Sequence, residues 1–176
     1  VCPECGTLLT RSDTQWNCTG CGRKRPETSW ELRWQDGSGT AVSRLGQEFD
    51  LFGLQLPGRF NASNATLALA VAEQLGLGLD ESVKRMCQVQ AVSGRYAIVN
   101  VGAIRIRLLL AKNPAGWTEL IDVMPPAPTP VIVSINSNAA DGRDPSRLWD
   151  VPFEKLPGRT VIATGDRRRP LAARLL

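Results

Sequence analysis

Histidine is absent from all 176 residues. That removes every histidine general base, every catalytic triad and every histidine metal ligand from the chain itself. Chemistry that needs an imidazole has to take it from a partner or from a segment outside these residues. No apolar run approaches the roughly 20 residues that cross a bilayer, so no spanning helix is expected. No secretory leader is visible, and the chain starts at Val1 and goes straight into Cys-Pro-Glu-Cys. It therefore reads as a piece of a longer protein. Lysine is scarce, with four residues against 17 arginines. A net charge of +4 is too small to imply nucleic acid by itself. The hydrophobic share of 43% and charged share of 22% are ordinary globular values, which excludes wholesale disorder and fibrous chains.

Four of the five cysteines fall as Cys2-x2-Cys5 and Cys18-x2-Cys21, with twelve residues between the pairs. Gly6 and Gly22 follow the pairs and let the backbone turn tightly around an ion. This spacing is that of two knuckles forming one four-cysteine zinc ribbon. The rival reading, two disulfides, needs an oxidising compartment. Four thiolates close the zinc shell and leave no open position for water, so the ion is expected to be structural. Cys87 lies in a helical stretch with Val83 and Met86 and reads as a buried free thiol.

The ribbon ends in Arg23-Lys24-Arg25-Pro26, a flank more often solvated than bound to nucleic acid. Trp30, Leu32 and Trp34 alternate with polar residues as in a half-buried strand. Asp36-Gly37-Ser38-Gly39 is a turn, and strands are expected near 41–45 and 49–56. An Ala/Leu-rich helix should run from a cap at Asn61 to about Leu75, burying Ala65, Leu69, Ala72 and Leu75. Gly76 and Gly78 stop it, and Asp80 should cap a second helix through about Val89. Tyr96–Asn100 and Ala103–Leu110 read as paired strands about Val101-Gly102, and a short helix should reach Met124. Beyond the stiff connector Pro125–Pro130, the apolar runs 131–135 and 160–164 read as strands buried on both faces of a parallel sheet. A last helix should begin at Leu171. In such sheets ligands sit beyond the C-terminal strand ends, which points to the polar loop 138–144. There Asp141 and Asp144 flank Arg143; a carboxylate in that loop could orient a histidine, bind a metal or cap a turn.

Three phrases in order carry a resemblance. Leu56-Pro57-Gly58-Arg59-Phe60-Asn61-x2-Asn64-Ala65 resembles the adenine-contacting helix start of the Mur ligase central ATPase domain. Ser93-Gly94-Arg95 resembles the Gly-Arg phrase near the end of that domain, and Lys112-Asn113-Pro114-Ala115-Gly116 the opening of the Mur C-terminal domain. The four-cysteine ribbon and the stretch Ala139–Glu154, with Asp-Gly-Arg-Asp and Leu-Trp-Asp in it, are similar to the MurT family.

The resemblance implies an α/β fold: a ribbon over 1–26, the rest of a Mur central domain over 27–107, and the start of a Rossmann-like C-terminal domain over 108–176. It implies ATP- and Mg²⁺-dependent activation of the D-glutamyl α-carboxylate of lipid II as an acyl phosphate, which ammonia converts to D-isoglutamine. The ammonia would come from a GatD-type glutaminase subunit, at the cytoplasmic face of the plasma membrane. Asp141, with Asp144 second, would complete the partner's triad by orienting its imidazole. Asn61 and Asn64 would contact adenine, and Arg95, Lys112 and Asn113 would lie at the nucleotide; their ordinary alternatives are helix capping and surface charge. The Gly-x-x-Gly-Lys-Thr phosphate loop is absent from these residues, so they should not hydrolyse ATP alone. Arg59 stands where many Mur ligases have His, and Arg147 where MurT relatives often have Trp. Two other readings are an amino-acid-adding Mur or folylpolyglutamate-type ligase, which needs neither the loop aspartate nor a glutaminase, and a zinc-ribbon nucleic-acid module, which needs steeply salt-dependent binding.

Overall fold

The computed structural model describes residues 1–12, 15–43, 45–92, 96–137 and 144–176. Near the N-terminus, β1 (Leu9–Arg11) and β2 (Trp16–Cys18) pair antiparallel. Two strands this short are not stable alone in water. A meander follows: β3 (Trp30–Gln35), β4 (Ser38–Ser43) and β5 (Glu48–Asp50). Its first turn places Asp36 at φ 50° and Gly37 at φ 79°, the left-handed pair that lets a two-residue hairpin follow the strand twist. Trp30, Leu32 and Trp34 are half-buried and their polar neighbours exposed, as the alternation predicts. Strand β4 begins earlier than expected, and β5 stops at Asp50 rather than 56. The Asp50 carboxylate accepts the Phe52 N–H at 2.8 Å, an Asx turn that takes the backbone out of the ladder.

Helix α1 (Arg59–Gln74) lies on this meander. Ala62, Ala65, Thr66, Leu69 and Ala72 form its buried face, and small alanines let the helix approach the sheet closely. Two expectations are corrected. Asn61 does not cap the helix: the cap position is Gly58 at φ 97°, and Asn61 sits inside the first turn, its amide donating to the Pro57 carbonyl at 2.7 Å. Leu75 is not buried but 69% exposed, because the helix ends at Gln74. The end is a Schellman motif, with Gly76 N–H bonded to Glu73 O and Leu77 N–H to Ala72 O. Helix α2 (Leu79–Cys87) likewise starts after Gly78, so Asp80 does not cap it. Asp80 stands in the first turn, where its charge favours the helix dipole. Trp30 Nε1 donates to Glu73 at 2.8 Å and ties β3 to α1. The core here is Ala41, Phe49, Leu51, Ala62, Ala65 and Leu69, with Cys87 half-buried rather than buried at the end of α2.

Strands β6 (Tyr96–Val101) and β7 (Ile104–Leu109) form a hairpin about Gly102. Then come α3 (Pro114–Asp122), β8 (Val131–Ser134), β9 (Val161–Thr164) and α4 (Arg168–Leu175). Strands β8 and β9 pair in parallel, as expected. They are not buried on both faces, however. Val131, Val133, Val161 and Ala163 turn inward to a second core with Ile121, Leu148, Val151, Phe153, Leu156 and Leu171. Ile132 and Ile162 point the other way and are 69% and 49% exposed, because one face of this two-stranded sheet has no covering layer among the described residues. No helix among them is long and apolar enough to cross a membrane.

Gly165 closes β9 at φ 87°, and a Cβ there would lie 2.7 Å from Asn136 Oδ1 and 2.9 Å from Ile135 N. Gly165→Ala should therefore destabilise the complete gene product by about 1–3 kcal/mol, read as a lower denaturation midpoint.

Candidate functional site

The two knuckles of the ribbon fold alike. Gly6 N–H bonds to Cys2 O and Gly22 N–H to Cys18 O, both at 2.9 Å, with the glycines at φ 71° and 73°. Cys2 N–H reaches Thr7 O at 2.7 Å, and Cys18 N–H reaches Arg23 O at 2.6 Å. The β1–β2 pairing brings the knuckles face to face. Cys2 Sγ is 3.6 Å from Cys21 Sγ, Cys5 Sγ is 3.4 Å from Cys18 Sγ, and all four sulfurs lie within 4.8 Å of one another. A disulfide would bring two sulfurs to about 2 Å. A tetrahedral zinc with bonds of about 2.3 Å spaces them about 3.8 Å apart, and the four thiols fit that arrangement.

Their protonation suits a cation too. The hydroxyl and backbone N–H of Thr7 hold Cys5 down at about 6. Cys2 is lowered, first by the Glu4 backbone N–H. The Arg23 backbone N–H favours the Cys21 thiolate, yet the neighbouring sulfurs of Cys2 and Cys18 push it up to about 12. Sulfurs packed this tightly resist joint ionisation unless a positive ion sits among them. Thr7 was missed in the sequence; its signal is a hydroxyl two residues after a knuckle cysteine. Arg23, from the basic flank, is ion-paired with Glu4.

The candidate loop is only partly visible. Asp141 lies outside the described residues, as do the rest of 138–143 and Ser93, Gly94 and Arg95. Asp144 is exposed, and its carboxylate accepts the Ser146 N–H and the Ser146 hydroxyl, each at 2.9 Å. The Ser146 N–H first, its hydroxyl second and the charge of Arg147 after them hold Asp144 below the usual carboxylate range. Asp144 thus braces the 3₁₀ turn Ser146–Asp150 that follows the loop. A depressed folded pKa stabilises above the ordinary carboxylate pKa, and the contribution is lost as pH falls through the folded value. The stability difference between wild type and Asp144→Asn should accordingly be present at neutral pH and vanish on acidification, checked by denaturation across that range.

Asn61 and Asn64 share one side of the first turns of α1, the former half-buried and the latter exposed. Asn113 caps α3, its Oδ1 accepting the Gly116 N–H at 2.8 Å, and Lys112 before it is exposed. The far end of α3 meets the start of α1: a Cβ on Gly58 would lie 3.0 Å from Val123 Cγ1. The asparagine pair and the Lys112-Asn113 pair are thereby set by opposite ends of α3, a nine-residue helix about 13 Å long.

Residues 110–176 match the family model described as MurT ligase C-terminal. Over an alignment of 186 residues the chain is 33% identical to the lipid II isoglutaminyl synthase (glutamine-hydrolyzing) subunit MurT of Streptococcus pneumoniae, covering 99% of this chain and 42% of that protein. It is 32% identical over 185 residues to the subunit of the same name from Staphylococcus aureus strain COL, with the same coverage. The chain spans about two-fifths of the length of these relatives. A solved UDP-N-acetylmuramoyl-L-alanyl-D-glutamate–2,6-diaminopimelate ligase superposes on 86% of this chain and 33% of its own, with 19% identity and a TM-score of 0.46. That score lies below the level that equates two folds.

Proposed function

We propose that this chain belongs to the MurT family and is part of the ligase subunit of a glutamine-hydrolysing enzyme that amidates lipid II. One observation carries the reading: an alignment to a MurT subunit at 33% identity runs over 99% of the chain, from the ribbon to the C-terminal part. Under it, residues 1–26 are the ribbon, 27–107 the later part of a Mur central ATPase domain and 108–176 part of a C-terminal domain.

ATP would phosphorylate the α-carboxylate of the D-glutamyl residue. Ammonia would then displace phosphate and leave the carboxamide. Asn61 and Asn64 would hold adenine, while Lys112 and Arg95 would offset phosphate charge, with Asn113 setting the start of α3 next to Lys112. The opposite ends of α3 keep the two groups apart, which suits an extended nucleotide. Magnesium, when bound, neutralises charge on the transferring phosphoryl group. Cys2, Cys5, Cys18 and Cys21 would hold a structural zinc. Asp141 would hold the imidazole of a GatD-type glutaminase in its useful tautomer, and Asp144 would fix the turn behind that loop. The reaction would take place at the cytoplasmic face of the membrane that carries lipid II.

The test combines the complete gene product and its cognate glutaminase with lipid II, ATP and glutamine, and reads the product by mass spectrometry. Conversion of one carboxylate to a carboxamide is expected. No amidation from glutamine or ammonia, with both proteins folded, would overturn the reading and send the search to amino-acid substrates.

A further inference from the structure

We propose that Thr7 is a positioning residue that fixes Cys5 as a metal ligand, and that Gly20 of the opposite knuckle keeps the Thr7 hydroxyl in place; the inference rests on the reading of the four cysteines as a zinc site. The four sulfurs differ in what restrains them. Cys2 and Cys18 are 2% and 1% exposed and are held by packing, whereas Cys5 and Cys21 are exposed. An exposed ligand needs another restraint. Thr7 supplies it for Cys5, with Oγ1 3.4 Å from Cys5 Sγ. A metal-bound sulfur carries no proton, so the hydroxyl is then the donor and the thiolate the acceptor. The backbone of Thr7 is tied to the same knuckle, its carbonyl accepting the Cys2 N–H at 2.7 Å. Thr7 thus touches both cysteines of its own knuckle.

The knuckles align in register: Cys2, Glu4, Cys5 and Thr7 correspond to Cys18, Gly20, Cys21 and Arg23. Each knuckle reaches across to the other through these corresponding positions. Arg23 pairs with Glu4 through exposed charges, a contact of the weak kind. Thr7 meets Gly20 in the reciprocal place. A Cβ on Gly20 would lie 2.4 Å from Thr7 Oγ1 and 3.2 Å from Cys5 Sγ. The backbone does not call for glycine there, since Gly20 lacks the positive φ of Gly6 and Gly22. Space calls for it: any larger residue has to push the hydroxyl off Cys5. Partners of this kind, one bond beyond the ligand atom, orient the ligand and tune what it donates to the metal. The two knuckles are therefore alike in backbone and unlike in this contact, because Arg23 turns its side chain to Glu4 while Thr7 turns its hydroxyl to a ligand sulfur.

The experiment uses the complete gene product. It measures zinc affinity by competition with a chromogenic chelator, and the absorption spectrum once cobalt(II) has replaced zinc, with circular dichroism to confirm the fold. Thr7→Val keeps the side-chain shape and the backbone bond to Cys2 and removes the hydroxyl; Thr7→Ser keeps the hydroxyl. Thr7→Val should lower zinc affinity by about 10-fold or more, and Thr7→Ser by less than about threefold. The sulfur-to-cobalt charge-transfer band should move to longer wavelength in Thr7→Val, because a thiolate without its hydrogen bond gives up electron density more readily, and stay in place in Thr7→Ser. Gly20→Ala should follow Thr7→Val in both readouts, and Glu4→Gln should follow the wild type. Wild-type affinity or an unmoved band in Thr7→Val would overturn the inference and leave the zinc reading standing. Losses in Thr7→Ser or Glu4→Gln equal to that in Thr7→Val would overturn it in favour of general closure of the ribbon. A folded wild type that binds neither metal through sulfur would overturn the zinc reading itself.

Discussion

Replacing Asp141 by asparagine should lower glutamine-driven amidation by about 10³- to 10⁴-fold and leave ammonia-driven amidation intact. The size of the effect comes from tautomer control. A carboxylate accepts the N–H of an imidazole and holds the other ring nitrogen ready to take the proton of a thiol. An amide can turn its NH₂ to that position and stabilise the wrong tautomer. Under the proposed function only the glutaminase half would depend on this contact, so free ammonia should bypass the defect. Asp144→Asn is the control, because the Asp144 carboxylate is occupied by the Ser146 N–H and hydroxyl. Its effect on glutamine-driven turnover should stay within about tenfold, the scale of a shifted positioning contact. Mass spectrometry of the lipid product, with each nitrogen source supplied in turn, reads both variants. Equal loss from both sources in Asp141→Asn would place the residue in the ligase reaction, not at the glutaminase.

Cys18→Ser should lose the metal and unfold the ribbon. Zinc in small structural sites supplies an apparent binding free energy of about 10–16 kcal/mol, nearly all of it available for folding. Cys18 is only 1% exposed, so a hydroxyl there is both a poor zinc ligand and a buried polar group in a sulfur cluster. Elemental analysis should give one zinc per chain for wild type and none for the variant, with a lower melting temperature. Cys87→Ser, outside the cluster, should keep the metal. Acid should also strip the ion, since each bound sulfur must give up its proton. Affinity therefore rises with pH through the thiol range. Cys21, pushed up to about 12, gains most from the ion's charge, whereas Cys5 at about 6 is already ionised at neutral pH. Retention of zinc by Cys18→Ser would remove the four-thiolate assignment.

The ribbon was readable in the sequence because each knuckle is a local object: two cysteines, a short spacer and a glycine at positive φ. Helices α1 and α2 were readable in their bodies but not at their starts. Rules that favour Asn and Asp as caps chose Asn61 and Asp80, whereas Gly58 and Gly78 hold the positions. At Gly58 the positive φ and the closeness of Val123 are tertiary facts that no local pattern shows. The 131–135 run was read as buried on both sides because composition reports apolarity and not whether a neighbour is present; Ile132 shows the difference. Of the candidate site, the cysteine cluster was legible from its spacing, whereas the local contacts of the loop and cap residues were not. Asp144 and Asn113 each accept a backbone N–H near their own position, a local role the sequence permitted without deciding.

The likeness of the two knuckles also governs how the ion is kept. Each knuckle closes on its own backbone hydrogen bond, so a bound ion would be held by two half-sites joined by a short tether rather than by four independent ligands. Once one half-site holds it, the other is present at an effective concentration on the order of millimolar. Release requires both halves to let go within the same opening. The residence time of a bound ion would then be set by avidity, and a ribbon whose separate halves bind weakly could still keep it.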